Sequence, residues 1–384
     1  MDVKVSYVKA IGILLMVLGH AIANVAGCQF LYDCIYLFHM PLFFFCSGYF
    51  FKEAYIERPH EFVKKKIKGL WLPYVKWCLL FIILHDLLLS INFYDIETST
   101  AFGNPYKFKD YAVMIINALL FKYNSDPLLG GFWFIGQLFW SSVIACAFLF
   151  ILKKMRIGFK SSIYMLAILI LCIGASVIAI IEKSIPVIGI NQRTFFCASI
   201  FLLGKLYSLF VLSYKDVEYN ALRYSKLIIV GKILISVIVI LIVAYTGIAG
   251  HDSSLYTTKE WSLIPMKLLV QFIAIIGCFA IADVILKSNH VVQSVLAYIG
   301  NHTMPILAIH FSAFKLVTLL MLFMYNMELE KIAEFPTPYY NGAGWICCYV
   351  VVATGLSLLL NYFYCIAINK VENLKRIITN NQKK

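Results

Sequence analysis

Ten apolar runs, each long enough to cross a bilayer, leave this chain few folds to choose from. A helix rising 1.5 Å per residue needs about 20 residues to cross a hydrocarbon core of about 30 Å. Runs of that length fall at Val5–Val25, Leu31–Phe51, Leu70–Ile91, Phe132–Leu152, Ile163–Ile181, Thr194–Ser213, Leu227–Tyr245, Leu263–Leu286, Thr303–Tyr325 and Trp345–Ile368. Backbone polar groups in hydrocarbon must be satisfied within the segment, so such runs read as helices. Charge content agrees: 14% of residues are charged, where a soluble domain carries about a quarter. The predicted fold is all-α: a polytopic integral membrane protein of about ten transmembrane helices around a central cavity.

A formal net charge of +13 invites a nucleic-acid reading, but its distribution along the chain argues against one. With the N-terminus placed in the cytoplasm, 22 Lys and Arg fall on the inner side, 7 on the outer side and 4 within spans. That asymmetry follows the positive-inside rule and puts both termini in the cytoplasm. The expected partners are therefore the lipid bilayer and what it presents, with no nucleic acid. Most of the 11 cysteines lie in apolar runs, where they behave as small hydrophobes. Only Cys28 and Cys34 flank an external turn, and nothing in the spacing fixes a disulfide there. The first apolar run has span length and no small-residue cleavage site, so no cleavable signal peptide is expected. The longest external segment, Asn92–Gly131, contains an amphipathic run at Tyr111–Tyr123, which reads as a re-entrant or surface helix. Residues 1–370 form one transmembrane unit, and 371–384 a short basic cytoplasmic tail.

Lys9 and His20 stand out on the first span. Eleven helical steps bring them about 20° past three full turns, so they share one face roughly 16 Å apart. Ionisable groups at bilayer depth are costly and point into a cavity or at a partner. The expectation is that both look into one continuous passage. Counted from the span ends, His20 and His39 reach nearly the same height, while His310 comes out lower, roughly 10 Å up the ninth span. A cation below with imidazoles above suits a passage that takes an anion from the cytoplasm and does proton chemistry higher up. Metal ligation by the three histidines is the weaker reading, because no carboxylate or thiolate pairs with them at a metal-site spacing, and no metal is expected. Lys64, Lys65, Lys66 and Lys68 form either an interfacial basic helix or a phosphate-binding patch. Trp133 reads as belt or packing. Arg193, Lys205, Lys315 and Asp283 need partners inside the membrane, and Asp283 has Lys287 one turn away.

Several of these segments carry a further likeness. "VKAIGILLMVLGH", ending in His20, is similar to the first-helix signature of the membrane acyltransferase-3 family. "FHMPLFFFCSGYFF" resembles its second helix, and "VKKKIKGLWLPY" its basic segment before the third. "GFWFIGQLF", "FFCASIFLLGKLY" and "YIGNHTMPILAIH" resemble later motifs, in order, up to His310. Many members carry Arg where this chain has Lys9; Lys keeps the charge and loses the planar fork. With an end soon after the tenth span, the expectation is a member without the periplasmic hydrolase-like domain of longer ones, most similar to short bacterial sugar O-acetyltransferases.

The resemblance implies a multi-pass protein of the bacterial inner membrane. It would move an acyl group, usually acetyl, from cytoplasmic acyl-CoA to a sugar hydroxyl of a surface polysaccharide or its lipid-linked precursor. Catalysis is then expected at His20, His39 and His310. Acetyl-CoA, the donor, would be held by Lys9, Lys64, Lys65, Lys66, Lys68 and Arg193, with Ser47, Trp133 and Asn301 at the substrate cavity. The alternative is a transporter or flippase for a small anionic or glycolipid substrate, with the same residues lining a path and no bond made. An inverted repeat would favour that reading, and none is visible. Neither the acceptor nor the oligomeric state can be read from the residues.

Overall fold

The computed structural model describes residues 2–94, 103–122, 126–155, 161–180, 189–213, 226–247, 263–337 and 342–381. Helix α1 runs Val3–Ile22, with the Asp2 carboxylate capping its first turn by accepting from the Lys4 amide (3.0 Å). The second span is split into α2 (Gln29–Tyr36) and α3 (Pro41–Tyr49). Pro41 explains the split: it lacks an N–H, and its ring crowds the carbonyl four residues back. Short helices α4 (Ala54–Glu57) and α5 (Pro59–Lys66) follow. A π-helical turn at Ile67–Trp71 then leads into α6 (Leu72–Ser90). After α7 (Phe108–Leu119) come α8 (Trp133–Lys154), α9 (Ser161–Ile180), α10 (Gln192–Ser213), α11 (Lys226–Thr246) and α12 (Ile264–Ile285). The last three are α13 (His290–Asn301), α14 (Thr303–Met324) and α15 (Ala343–Asn381), which continues without a break past residue 370.

Among the described residues, nine helical stretches are long and apolar enough to cross a membrane. The remaining expected span, Ile163–Ile181, corresponds to α9, whose apolar stretch, Ser162–Ile178, is shorter. Burial runs opposite to that of a soluble protein. The stretch Lys226–Thr246 has the highest mean hydropathy, 3.1, yet only 17% of it is buried inside the protein. A helix that apolar and that exposed has lipid for its solvent.

With lipid outside, helices gain little from hiding apolar surface and associate through close packing at small residues. Gly48 of α3 lies against the Phe201 carbonyl of α10, and Gly204 of α10 lies against the Phe45 carbonyl of α3. Gly300 of α13 meets the Ser6 carbonyl of α1 in the same way. In each case a Cβ would run into backbone, which cannot turn aside.

Charges within the spans find partners. Lys4 pairs with Asp283 across α1 and α12 at 2.5 Å, both groups buried. The expected pairing of Asp283 with Lys287 is replaced by this one, because Asp283 faces α1. Lys205 reaches Glu53 (3.6 Å), and Lys76 donates to the Tyr364 hydroxyl. Lys315 donates to the carbonyls of Ile332, Ala333 and Glu334, at 2.7, 3.1 and 2.7 Å.

The segment expected as a re-entrant or surface helix contains α7, which lies along α6. Near one end the Tyr111 hydroxyl donates to Asp86 (3.2 Å), and at the other the Trp71 indole donates to the Leu119 carbonyl (3.0 Å). Trp71 and Asp86 are about 22 Å apart along the helix axis. Val113, Ile116 and Leu119 lie exposed at three-residue spacing, so α7 presents an apolar face outward at membrane depth. Cys28 and Cys34 are free thiols.

The glycine contacts yield a direct expectation. Gly204→Ala forces backbone apart at the α3–α10 crossing and costs about 1–3 kcal/mol. Thermal unfolding of the detergent-solubilised protein should show this as a lower midpoint than for Gly231→Ala, where the added methyl meets nothing within 4 Å.

Candidate active site

Two cavities follow one another along α1. The larger, about 680 Å³, opens among α1, α3, α5, α8 and α14. Four lysines line it: Lys9, Lys52, Lys65 and Lys66. The Lys66 ammonium donates to the Ser47 hydroxyl (2.7 Å) and lies over the Phe62 and Phe201 rings, at 5.1 and 5.5 Å from their centroids. Lys65 donates to the Tyr55 hydroxyl (3.4 Å). The π-helical turn contributes Gly69 and Leu70 to the same wall. Of the expected cationic patch, Lys65 and Lys66 face the cavity, while Lys64 and Lys68 are exposed and not among its lining residues. Lys52 joins the group unanticipated.

The smaller cavity, about 250 Å³, is lined by His20 and His39 with Tyr32, Tyr36, Trp133 and Phe335. All three expected histidines come together here. The His20 and His310 rings stack with centroids 5.4 Å apart, and Tyr36 bridges His20 and His39. The expectation that His310 sits lower is corrected. Because Gly300 rests on the Ser6 carbonyl, α14 starts above the inner end of α1, and the count from Thr303 began too low.

Hydrogen bonds set how these rings present themselves. His39 Nδ1 lies 2.8 Å from the Ile35 carbonyl. His310 Nδ1 lies 3.1 and 3.0 Å from the carbonyls of Ile306 and Leu307. A carbonyl only accepts, so each Nδ1 carries the proton and leaves Nε2 a lone pair in the neutral ring. The His310 Nε2 is fully buried with no hydrogen-bond partner among the described residues. His20 Nδ1 faces the Tyr36 hydroxyl at 3.2 Å, a group that can accept from Nδ1–H and leave Nε2 free as a base. Tyr32, Tyr36 and His39 lie at i, i+4 and i+7, the helical spacing that would have flagged Tyr36 in the sequence.

The outer wall is pinned from two sides. Lys315 holds the carbonyls of residues 332–334, and the Asn24 side chain donates to the carbonyls of Phe335 and Thr337, at 3.1 and 2.6 Å. Together they set the Phe335 ring against Phe311 (4.6 Å) at the edge of the histidine cavity. Arg193 lies over Trp133 at 4.7 Å, on the histidine side and apart from the lysines. Asn301 accepts from the Ser6 hydroxyl (2.8 Å) and lines neither cavity.

Lys9 and His20, the ends of the expected passage, line two adjoining chambers. Lys9, Ile13, Met16 and His20 share one face of α1 and run through both. Met16, Met40 and Leu307 are common to the two linings, and all three are buried. Chemically, the lower chamber offers clustered ammonium groups to an anion, and the upper one offers imidazoles able to take a proton from a hydroxyl.

Searches among curated proteins and among solved structures each find no significant match. The acyltransferase-3 family model, described as an acyltransferase domain, matches residues 2–362, a stretch that contains both chambers and every helix lining them. This chain is therefore a multi-pass membrane protein that belongs to the acyltransferase-3 family.

Proposed function

We propose that this protein is an O-acyltransferase of the bacterial inner membrane, with both termini in the cytoplasm. It moves an acyl group, acetyl first among them, from cytoplasmic acyl-CoA to a sugar hydroxyl of a surface polysaccharide or its lipid-linked precursor. The observation that carries this reading is the succession of a lysine-lined chamber and a histidine-lined chamber along one face of α1. The donor's phosphates suit Lys9, Lys52, Lys65 and Lys66. Its extended pantetheine arm suits the apolar remainder of the lower chamber. The aromatic upper chamber suits a sugar, whose apolar face rests on rings and whose hydroxyl meets His20.

The reaction then balances on this chain's own groups. His20 Nε2 takes the proton of the acceptor hydroxyl as its oxygen attacks the thioester carbonyl carbon. The C–O ester bond forms, the C–S bond breaks, and the departing thiolate recovers the proton from His20. Tyr36, at Nδ1, holds the ring in the tautomer this requires and faces the positive charge that develops. His310, stacked on His20 and fixed by two backbone carbonyls, limits how the ring can rotate.

Purified protein in micelles should release CoA from radiolabelled acetyl-CoA only when a glycan acceptor is present. His20→Ala should lower that rate by about 10²–10⁴-fold, the usual contribution of a general base. CoA release at the wild-type rate from His20→Ala would remove the catalytic assignment, and an acyl-histidine trapped without acceptor would replace base catalysis by a covalent route. Tyr36→Phe should cost about tenfold in kcat, the worth of one hydrogen bond, and leave KM for acetyl-CoA unchanged. Lys66→Gln should do the reverse, raising KM for acetyl-CoA about tenfold or more with kcat preserved. Steady-state kinetics on the two variants separate these roles.

A further inference from the structure

Among the described residues, three side chains line both chambers: Met16 from α1, Met40 from the break before α3, and Leu307 from α14. Each is buried, at 2, 7 and 4% exposure, and the three side chains stand where the two chambers adjoin. Two of the three are methionines, unbranched and with three rotatable bonds, the side chain best able to move aside and return. The third is held more firmly. A Cβ built on Gly131 would come within 2.8 Å of a Leu307 methyl, so the glycine gives Leu307 the room it occupies. Gly131 itself lines the histidine chamber.

We propose that Met16, Met40 and Leu307 form an acyl gate that selects the donor by the length of its acyl group. The inference rests on the acyl-CoA reading above and adds which residues set the acyl class. A donor anchored among the lysines delivers its thioester to His20 only by sending the acyl end past these three side chains. Beyond them lies a chamber of about 250 Å³, which the acyl end shares with the acceptor. Acetyl passes and fits; each added methylene must displace gate or chamber side chains that are already in contact. In an apolar pocket one methylene is worth about 10–200-fold in discrimination.

The test compares acetyl-, butyryl- and octanoyl-CoA. The acceptor is the source cell's own surface polysaccharide, stripped of esters by mild alkali. Wild-type protein should use acetyl-CoA best and octanoyl-CoA least. Met16→Ala and Leu307→Ala should each raise kcat/KM for butyryl-CoA relative to acetyl-CoA by about tenfold or more. If the alanine variants are not recovered folded, Leu307→Val, which removes one methylene, should shift the ratio in the same direction by a smaller factor. Met16→Trp should abolish transfer from acetyl-CoA while equilibrium binding of labelled acetyl-CoA persists. Wild-type turnover of acetyl-CoA, with every variant keeping the wild-type acyl preference, overturns the gate and leaves the proposed function standing. Wild-type protein that releases CoA from none of the three donors overturns the function and the gate with it.

Discussion

A charged or polar side chain placed in hydrocarbon needs something other than lipid to face, and the cost of failing this is high enough to shape a whole bundle. The effect is concentrated on α1. Its inward stripe, Lys9–Ile13–Met16–His20, faces cavity along its length, while Lys4, nearer the start of the helix, is neutralised by Asp283. The surrounding elements can be understood by what they provide for that stripe. α3 brings Ser47 to the lysine end, α2 brings Tyr36 to the imidazole end, and α14 brings Leu307 and His310 between and beside them. Close glycine crossings hold α3 to α10 and α13 to α1, so the walls cannot slide relative to one another.

Proline 41 gives the second span its two roles. An unbroken helix would present the same face throughout. The break lets α3 line the lysine chamber with Phe43, Cys46 and Ser47, while α2 lines the histidine chamber with Tyr32 and Tyr36. Met40 sits at the break itself and belongs to both. The π-helical turn between α5 and α6 also borders the lysine chamber, through Gly69 and Leu70. Non-helical backbone at membrane depth is tolerated in such places because cavity and protein supply what lipid cannot.

Lys315 shows how a buried cation can serve structure. Its three carbonyl acceptors hold residues 332–334, and through them Phe335 closes the edge of the histidine chamber. The cation was visible in the sequence as an intramembrane cost without a partner. The partner turned out to be backbone, which no pairing of charged residue types could have named. Asp283 teaches the same point: a lysine one turn away on its own helix was the obvious partner, and one on another helix took its place.

The sequence by itself determined the class of fold, the positions of the spans to within a few residues, the shared face of Lys9 and His20, and the similar height of His20 and His39. These follow from run length and from the 100° step of a helix, which are local properties. Whether Lys9 and His20 share one space, how high His310 sits, and which lysines of the 64–68 cluster face inward depend on where one helix crosses another. Tertiary structure alone decided those, through glycine contacts that set the heights of neighbouring helices and through Met16, Met40 and Leu307 meeting from three separate elements where the two chambers adjoin.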